Sequence, residues 1–177
     1  EAELLRTEIR NKTDLAIKDQ LTGVYNRNGF DERAAELFAR WQRNRAKLSI
    51  VFVDCNKFKE INDTYGHAAG DLVLVKVADI LQSRARVTDV VCRFGGDEFV
   101  ILLPDTGPEG AETYAASAFN AVLDAGFNDN GKPLDVSISL GITALKEEDT
   151  LDAALARADE AMYEAKAKQG VRVAKRV

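Results

Sequence analysis

A chain of 177 residues, 46% of them apolar, is long enough for one domain with a sizeable core. Its formal net charge of −5 excludes a general nucleic-acid binder, which needs a basic face, but not a nucleotide held through a divalent cation and a few lysines. No apolar stretch approaches the length of a membrane span, and no signal-peptide pattern opens the chain.

Residues 1–18 are charged and helix-favouring, with Leu4, Leu5, Ile9, Leu15 and Ile17 as a sparse apolar set, too short and irregular for a coiled coil. They read as a helical linker to a preceding sensor region, with a simple capping helix as the close alternative, and the domain proper spans 19–177. Residues 19–27 form a turn-rich connector, followed by a helix over 31–45. The β-favouring run 48–53 ends at Asp54 and reads as a buried central strand. A short helical turn is expected at 58–62. Gly66 and Gly70 then punctuate a loop before an amphipathic helix over 71–85, with Leu72, Val75, Ala78 and Leu81 on its apolar face.

Two apolar runs, 90–92 and 99–103, flank Arg93-Phe94-Gly95-Gly96-Asp97-Glu98 and predict a β-hairpin. Gly95 and Gly96 are expected to supply backbone conformations closed to other residues and to let a ligand approach the main chain. Asp97 and Glu98 stand at the tip, where a hard cation with oxygen ligands can be held; read alone, the same hairpin is a plain acidic turn.

A helix opening at Pro108 extends to about 125, residues 128–133 are a strong turn signal, and 136–143 alternates as a strand. The last helix, 151–168, carries Leu151, Ala154, Leu155, Ala158, Ala161, Met162 and Ala165 as a buried stripe, and 171–174 closes the sheet as an edge strand. The order β-α-β-β-α-β predicts an α+β fold, a central, mostly antiparallel sheet of about five strands in a split βαβ arrangement flanked by helices. Cys55 and Cys92 fall in apolar runs and read as reduced, buried thiols of a cytoplasmic protein.

A second acidic site follows the 48–53 strand, in Asp54-Cys55-Asn56-Lys57-Phe58-Lys59-Glu60-Ile61-Asn62-Asp63, and then come Gly66-His67 and Gly70-Asp71. A carboxylate at a strand end followed by a lysine-bearing turn suits a metal-bound triphosphate. If the hairpin pairs beside this strand, Asp54 and Asp97 converge on one metal. These motifs, with Leu21-Thr22-Gly23-Val24-Tyr25-Asn26-Arg27 before them and Ala158-Asp159-Glu160-Ala161-Met162-Tyr163-Glu164-Ala165-Lys166 after, resemble the GGDEF family of diguanylate cyclases, from about Asp19 to the C-terminus.

The resemblance implies a nucleotidyl-cyclase-like palm that condenses two GTP molecules into cyclic di-GMP with release of two pyrophosphates, each domain of a face-to-face homodimer holding one GTP. It implies Mg²⁺, two ions per active site with Mn²⁺ able to substitute, held by Asp54, Asp97 and the main-chain carbonyl of Cys55, with Glu98 supporting the second ion. Asp97 is the implied acceptor of the 3′-hydroxyl proton, a role weakened by its commitment to metal. Lys59 would stabilise charge on the transferring phosphate and Lys166 would touch the β- or γ-phosphate. Asn62 and Asp71 would read guanine, although a carboxylate capping the 71–85 helix is the bland alternative for Asp71. His67, Lys57, Phe58, Gly95 and Gly96 complete the implied substrate-binding set.

Arg86-Val87-Thr88-Asp89, separated from Gly95 by the five residues 90–94, resembles the family's inhibitory site for the product; an i,i+3 surface salt bridge at a helix end is the rival reading. Some positions depart from the family's pattern. Asn56 stands where a second aspartate is usual, and Lys57 replaces a bulkier residue. After Lys166 the arginine is shifted, so that Lys168 and Arg172 are both candidates for a second phosphate-binding cation. The 109–125 helix has no arginine, which weakens the partner's contribution to an inhibitory dimer. A catalytically silent module that binds GTP or cyclic di-GMP is the alternative function, disfavoured because residues 95–99, Asp54, Lys59, Asn62 and Asp71 are all intact.

Overall fold

The computed structural model describes residues 1–167 and the backbone of 173–176. Its centre is a five-stranded sheet in the order β2-β3-β1-β6-β7. The strands are β1 (Leu48–Cys55), β2 (Val90–Arg93), β3 (Glu98–Pro104), β6 (Ile138–Ala144) and β7 (Val173–Arg176). All neighbours are antiparallel except β6 and β7, which run parallel. The helices are α1 (Ala2–Ile17), α2 (Arg27–Asn44), α3 (Phe58–Tyr65), α4 (His67–Arg84), α5 (Pro108–Asp124) and α6 (Leu151–Ala167). A small hairpin, β4 (Asn128–Asp129) with β5 (Lys132–Pro133), occupies the predicted turn, with Asn130 and Gly131 both at positive φ as a two-residue hairpin turn needs.

Both faces of the sheet are covered, which is why the strands read as continuous apolar runs. Val51, Val53, Ile101 and Leu103 face Val73, Val77 and Leu81 of α4 and Ala111, Ala115 and Ala118 of α5. Ile50, Phe52, Val100 and Leu102 face Phe30 and Ala34 of α2 and Ala154, Ala158 and Met162 of α6. Gly141 explains how closely α6 sits. A Cβ there would collide with the main chain of Ala158 and Met162, so only glycine lets the helix backbone rest on β6. The buried alanines of α6 serve the same close approach.

Several expectations change. The second helix starts at Arg27, four residues early, because Asn26 caps it by accepting from the Gly29 N–H at 3.0 Å. Gly70 lies inside α4 and not in a loop before it. The buried face of α4 is Ala69, Gly70, Val73, Leu74, Val77, Ala78 and Leu81, whereas Leu72 is 40% exposed and Val75 is only partly covered. Steps of three residues drift about 60° each around an α-helix, so the row 72-75-78-81 winds off the face that packs. No residue of α1 is buried. The edge strand is described over Val173–Arg176, and residues 171 and 172, like Lys168, lie outside the described residues.

Candidate active site

Strand register builds the acidic site. In the β1–β3 ladder Asp54 stands opposite Glu98, two residues beyond the Phe52–Val100 pair, so both carboxylates lie on the sheet face covered by α6. The Cys55 N–H donates to the Asp97 carbonyl at 3.2 Å, tying the end of β1 to the tip of the hairpin. Lys166, in the last turn of α6, donates to Asp54 Oδ2 at 3.1 Å. The expected convergence of Asp54 with the hairpin acids is thus a consequence of β1 pairing beside β3.

The tip is held from three sides. Phe94 N donates to Glu98 O at 2.8 Å, Asp97 O accepts from Cys55, and Gly96 O accepts from Arg93 Nε and Nη2 at 3.0 and 2.8 Å. Neither Gly95 nor Gly96 is among the glycines at positive φ, contrary to expectation. A Cβ at Gly95 would lie 2.8 Å from Glu98 Oε1, so a larger residue there displaces the Glu98 carboxylate. A Cβ at Gly96 would meet nothing within 4 Å, which leaves its main chain open to a ligand.

Burial pushes the Asp54 carboxyl above its usual range, and the neighbouring Asp97 charge adds to this while Lys166 opposes it. Glu98 is raised as well, first by burial and then by the charges of Asp54, Asp97 and Asp159. Asp54 Oδ1 is buried and has no hydrogen-bond partner among the described residues. Crowded carboxylates with an orphaned oxygen fit a hard cation. Among the described residues no three His, Cys, Asp or Glu side chains are gathered to hold an ion by themselves. The Cys55 thiol is buried and its pKa raised, and burial pushes that of Cys92 up to about 12, so neither is a thiolate.

The turn after β1 carries the next group. Asn56 is pinned to the start of β6 and the residue before it: its N–H donates to Ser137 O at 2.9 Å, its Nδ2 to Ser137 Oγ at 2.9 Å, and its Oδ1 accepts from Ser139 Oγ at 2.7 Å. Lys57 then adopts the left-handed conformation, φ 55°, and turns the chain into α3. Lys57 and Lys59 are exposed and Phe58 packs partly on the core. The Asn62 side chain rests against Gly70, where any Cβ would overlap it, so α3 and α4 bring Asn62 beside the residue preceding Asp71. Asp71 lies inside α4, whose N-cap is Gly66 without a side-chain bond, so Asp71 is not a helix cap. His67 is exposed at the first position of α4.

Arg86 and Asp89 sit apart, at the other end of β2, about 13 Å of strand from the tip. The Asp89 side chain is 2% exposed and accepts from Arg86 N at 2.7 Å and from Arg86 Nη2 at 3.0 Å. Arg86 Nη2 also donates to Pro104 O and Thr106 Oγ1. The i,i+3 ion pair therefore exists, and it borders a cavity of about 500 Å³ lined by Thr106, Gly110, Tyr114 and Ser117 among others. Sequence reasoning passed over Arg93, Asp19, Ser137 and Ser139, whose side chains support the site from behind. Asp19 alone left a local sign, the Asp-x-x-Thr spacing of a side-chain turn.

Known proteins share this sequence and fold. The chain is 37% identical over 166 residues to the diguanylate cyclase DgcP of Pseudomonas aeruginosa, covering 94% of this chain and 25% of that protein. It is 39% identical over 166 residues to the response regulator PleD of Caulobacter vibrioides, covering 92% and 37%. The chain thus spans only a quarter to two-fifths of the length of these relatives. Among solved structures, the coiled coil and GGDEF domain of DgcB from Caulobacter crescentus, in complex with c-di-GMP, superposes with a TM-score of 0.92 at 25% identity, over 99% of this chain and 93% of that one. The GGDEF domain of TpbB from Pseudomonas aeruginosa superposes with a TM-score of 0.82 at 37% identity, over 90% and 92%. No helix among the described residues is long and apolar enough to cross a membrane. The family model "Diguanylate cyclase, GGDEF domain" matches residues 16–172, and the chain belongs to the GGDEF family.

Proposed function

We propose that this domain is an active diguanylate cyclase that joins two GTP molecules into cyclic di-GMP, working as a face-to-face homodimer. The observation that supports the reading best is the β1–β3 register, which sets Asp54 opposite Glu98 with Asp97 and Lys166 beside them. Asp54, Asp97 and the Cys55 carbonyl would hold Mg²⁺, with Glu98 supporting a second ion. Bound divalent cations would neutralise the phosphates and favour the attacking oxygen.

Each 3′-oxygen bonds to the α-phosphorus of the other nucleotide, the bond from that phosphorus to the bridging oxygen breaks, and pyrophosphate leaves. Asp97, at the hairpin tip, would take the 3′-proton. Lys59 offsets charge as it develops on the transferring phosphate, and Lys166 holds the β- or γ-phosphate. Asn62 and Asp71 select guanine, because a carboxylate accepts from its N1–H and N2–H₂ donors, a pattern adenine lacks. His67, Lys57, Phe58 and the open main chain at Gly96 add substrate contacts. Arg86 and Asp89, with the cavity beside them, bind the product and restrain turnover.

Incubation with GTP and Mg²⁺, with products separated by chromatography, tests this directly. Cyclic di-GMP is expected from the native chain and not from Asp97→Ala. Absence of product at protein concentrations high enough to form dimers overturns the reading in favour of a binding module.

A further inference from the structure

Asp54 is the carboxylate on which the metal and phosphate roles meet, and its charge is answered from within the chain. The Lys166 ammonium reaches it across 112 residues of sequence, from the end of α6 to the end of β1. The Asp54 side chain is 13% exposed and that of Lys166 is 41% exposed, so the lysine dips into the site from the surface. The described residues give Asp54 no second ion pair, and its other oxygen is buried without a partner.

We propose that Lys166 is an internal stand-in cation, which closes Asp54 against a bare divalent ion and releases it when a triphosphate draws the ammonium away. This rests on the reading of the site as one for Mg²⁺ and GTP. An ammonium bonded to Asp54 Oδ2 takes up one of the oxygens a metal would use and repels a second cation at short range. A lysine on a flexible, partly exposed stem changes partner at little cost. A triphosphate carries more negative charge than the carboxylate it competes with, so the ammonium moves to it. Metal and nucleotide then each strengthen the binding of the other, and by linkage the coupling is reciprocal. Asp54, Asp97 and Glu98 are in this way kept from collecting divalent ions before substrate arrives.

Mn²⁺, followed by the electron paramagnetic resonance of the free ion, is the probe, with the full chain titrated alone and with a non-hydrolysable GTP analogue. Without nucleotide, Lys166→Gln is expected to bind Mn²⁺ about tenfold more tightly than the native chain, the scale of one lost charge-assisted hydrogen bond. Lys166→Arg, which keeps the charge, should stay near the native value, and the gain from Lys166→Gln should vanish in an Asp54→Asn background. The analogue should raise Mn²⁺ affinity by a larger factor in the native chain than in Lys166→Gln. Equal affinities of the native chain and Lys166→Gln without nucleotide overturn the stand-in role alone, provided both bind Mn²⁺ with the analogue. If neither binds Mn²⁺ even with the analogue, the reading of the site falls, and the stand-in role with it.

Discussion

Arg93 joins Asp19 to the tip of the acidic hairpin. Its Nη1 donates to both Asp19 oxygens at 3.3 Å, while Nε and Nη2 donate to the Gly96 carbonyl. Asp19 is itself fixed by the Thr22 N–H and hydroxyl, at 3.0 and 2.6 Å. Burial pushes its carboxyl up, but the Thr22 bonds and the Arg93 charge outweigh that and hold it below the usual range. The connector after α1 therefore helps to set where Gly96 and Asp97 stand.

Arg93→Met keeps the length of the side chain and removes its donors. With both partners 20% exposed, the stability cost should be about 1–2 kcal/mol. The rate should suffer more, because a tip displaced by an ångström misaligns the reacting groups, and kcat should fall about tenfold or more. Thermal unfolding and steady-state kinetics on one preparation separate the two effects. A native kcat would show that the tip holds its position without Arg93.

Gly70→Ala puts a methyl group where the Asn62 side chain lies, with Asn62 Cγ 2.9 Å and Phe58 Cζ 3.2 Å away. Alanine favours the helix by about 1 kcal/mol, which offsets part of the crowding. Melting temperature should change little, whereas displacement of Asn62 should raise KM for GTP about tenfold, the scale of one hydrogen bond to the base. A KM equal to the native value would argue against a guanine contact by Asn62.

Arg86→Ala removes the guanidinium that borders the 500 Å³ cavity and leaves the buried Asp89 carboxylate without its main side-chain donor. Calorimetry should show cyclic di-GMP affinity reduced about a hundredfold, the value of a charge-assisted contact to phosphate. Undiminished affinity would place the product elsewhere.

Arg157 and Asp149 give the fold a pH dependence of known sign. Arg157 donates to both Asp149 oxygens, at 2.9 and 2.6 Å, and also to Thr143 Oγ1 and Ala144 O, with the pair 18% and 10% exposed. Those bonds, opposed by partial burial, hold the Asp149 carboxyl below its ordinary value. A depressed folded pKa means stability that is complete above the unfolded value and fades as pH falls through the folded one. Asp149→Ala should accordingly cost about 2–3 kcal/mol at pH 7. The difference from the native chain, read from urea unfolding, should shrink below about pH 4. A constant difference down to pH 3 would mean that the ion pair is not what the substitution removes.

Much of this was legible in the linear chain. Leu48 to Val53 and Phe99 to Leu103 announce central strands because uninterrupted apolar runs are stable only where both sheet faces are covered. The acids of the hairpin and the lysine-bearing turn after Asp54 name the chemistry because few residue types hold metal or phosphate. What stayed hidden depended on partners distant in sequence. The burying face of α4 is selected by its packing on α3, α5 and the sheet, and Gly70 belongs to the helix because the Asn62 side chain lies against it.

The sequence by itself determined the element order and the acidic tip, since composition and periodicity are local properties. Only the tertiary structure decided that Asp54 pairs with Lys166, that Arg93 anchors the tip through Asp19 and Gly96, and that Arg86 reaches Pro104 and Thr106. Each of these follows from strand register and helix docking, which bring together groups separated by up to 112 residues and which no local pattern encodes.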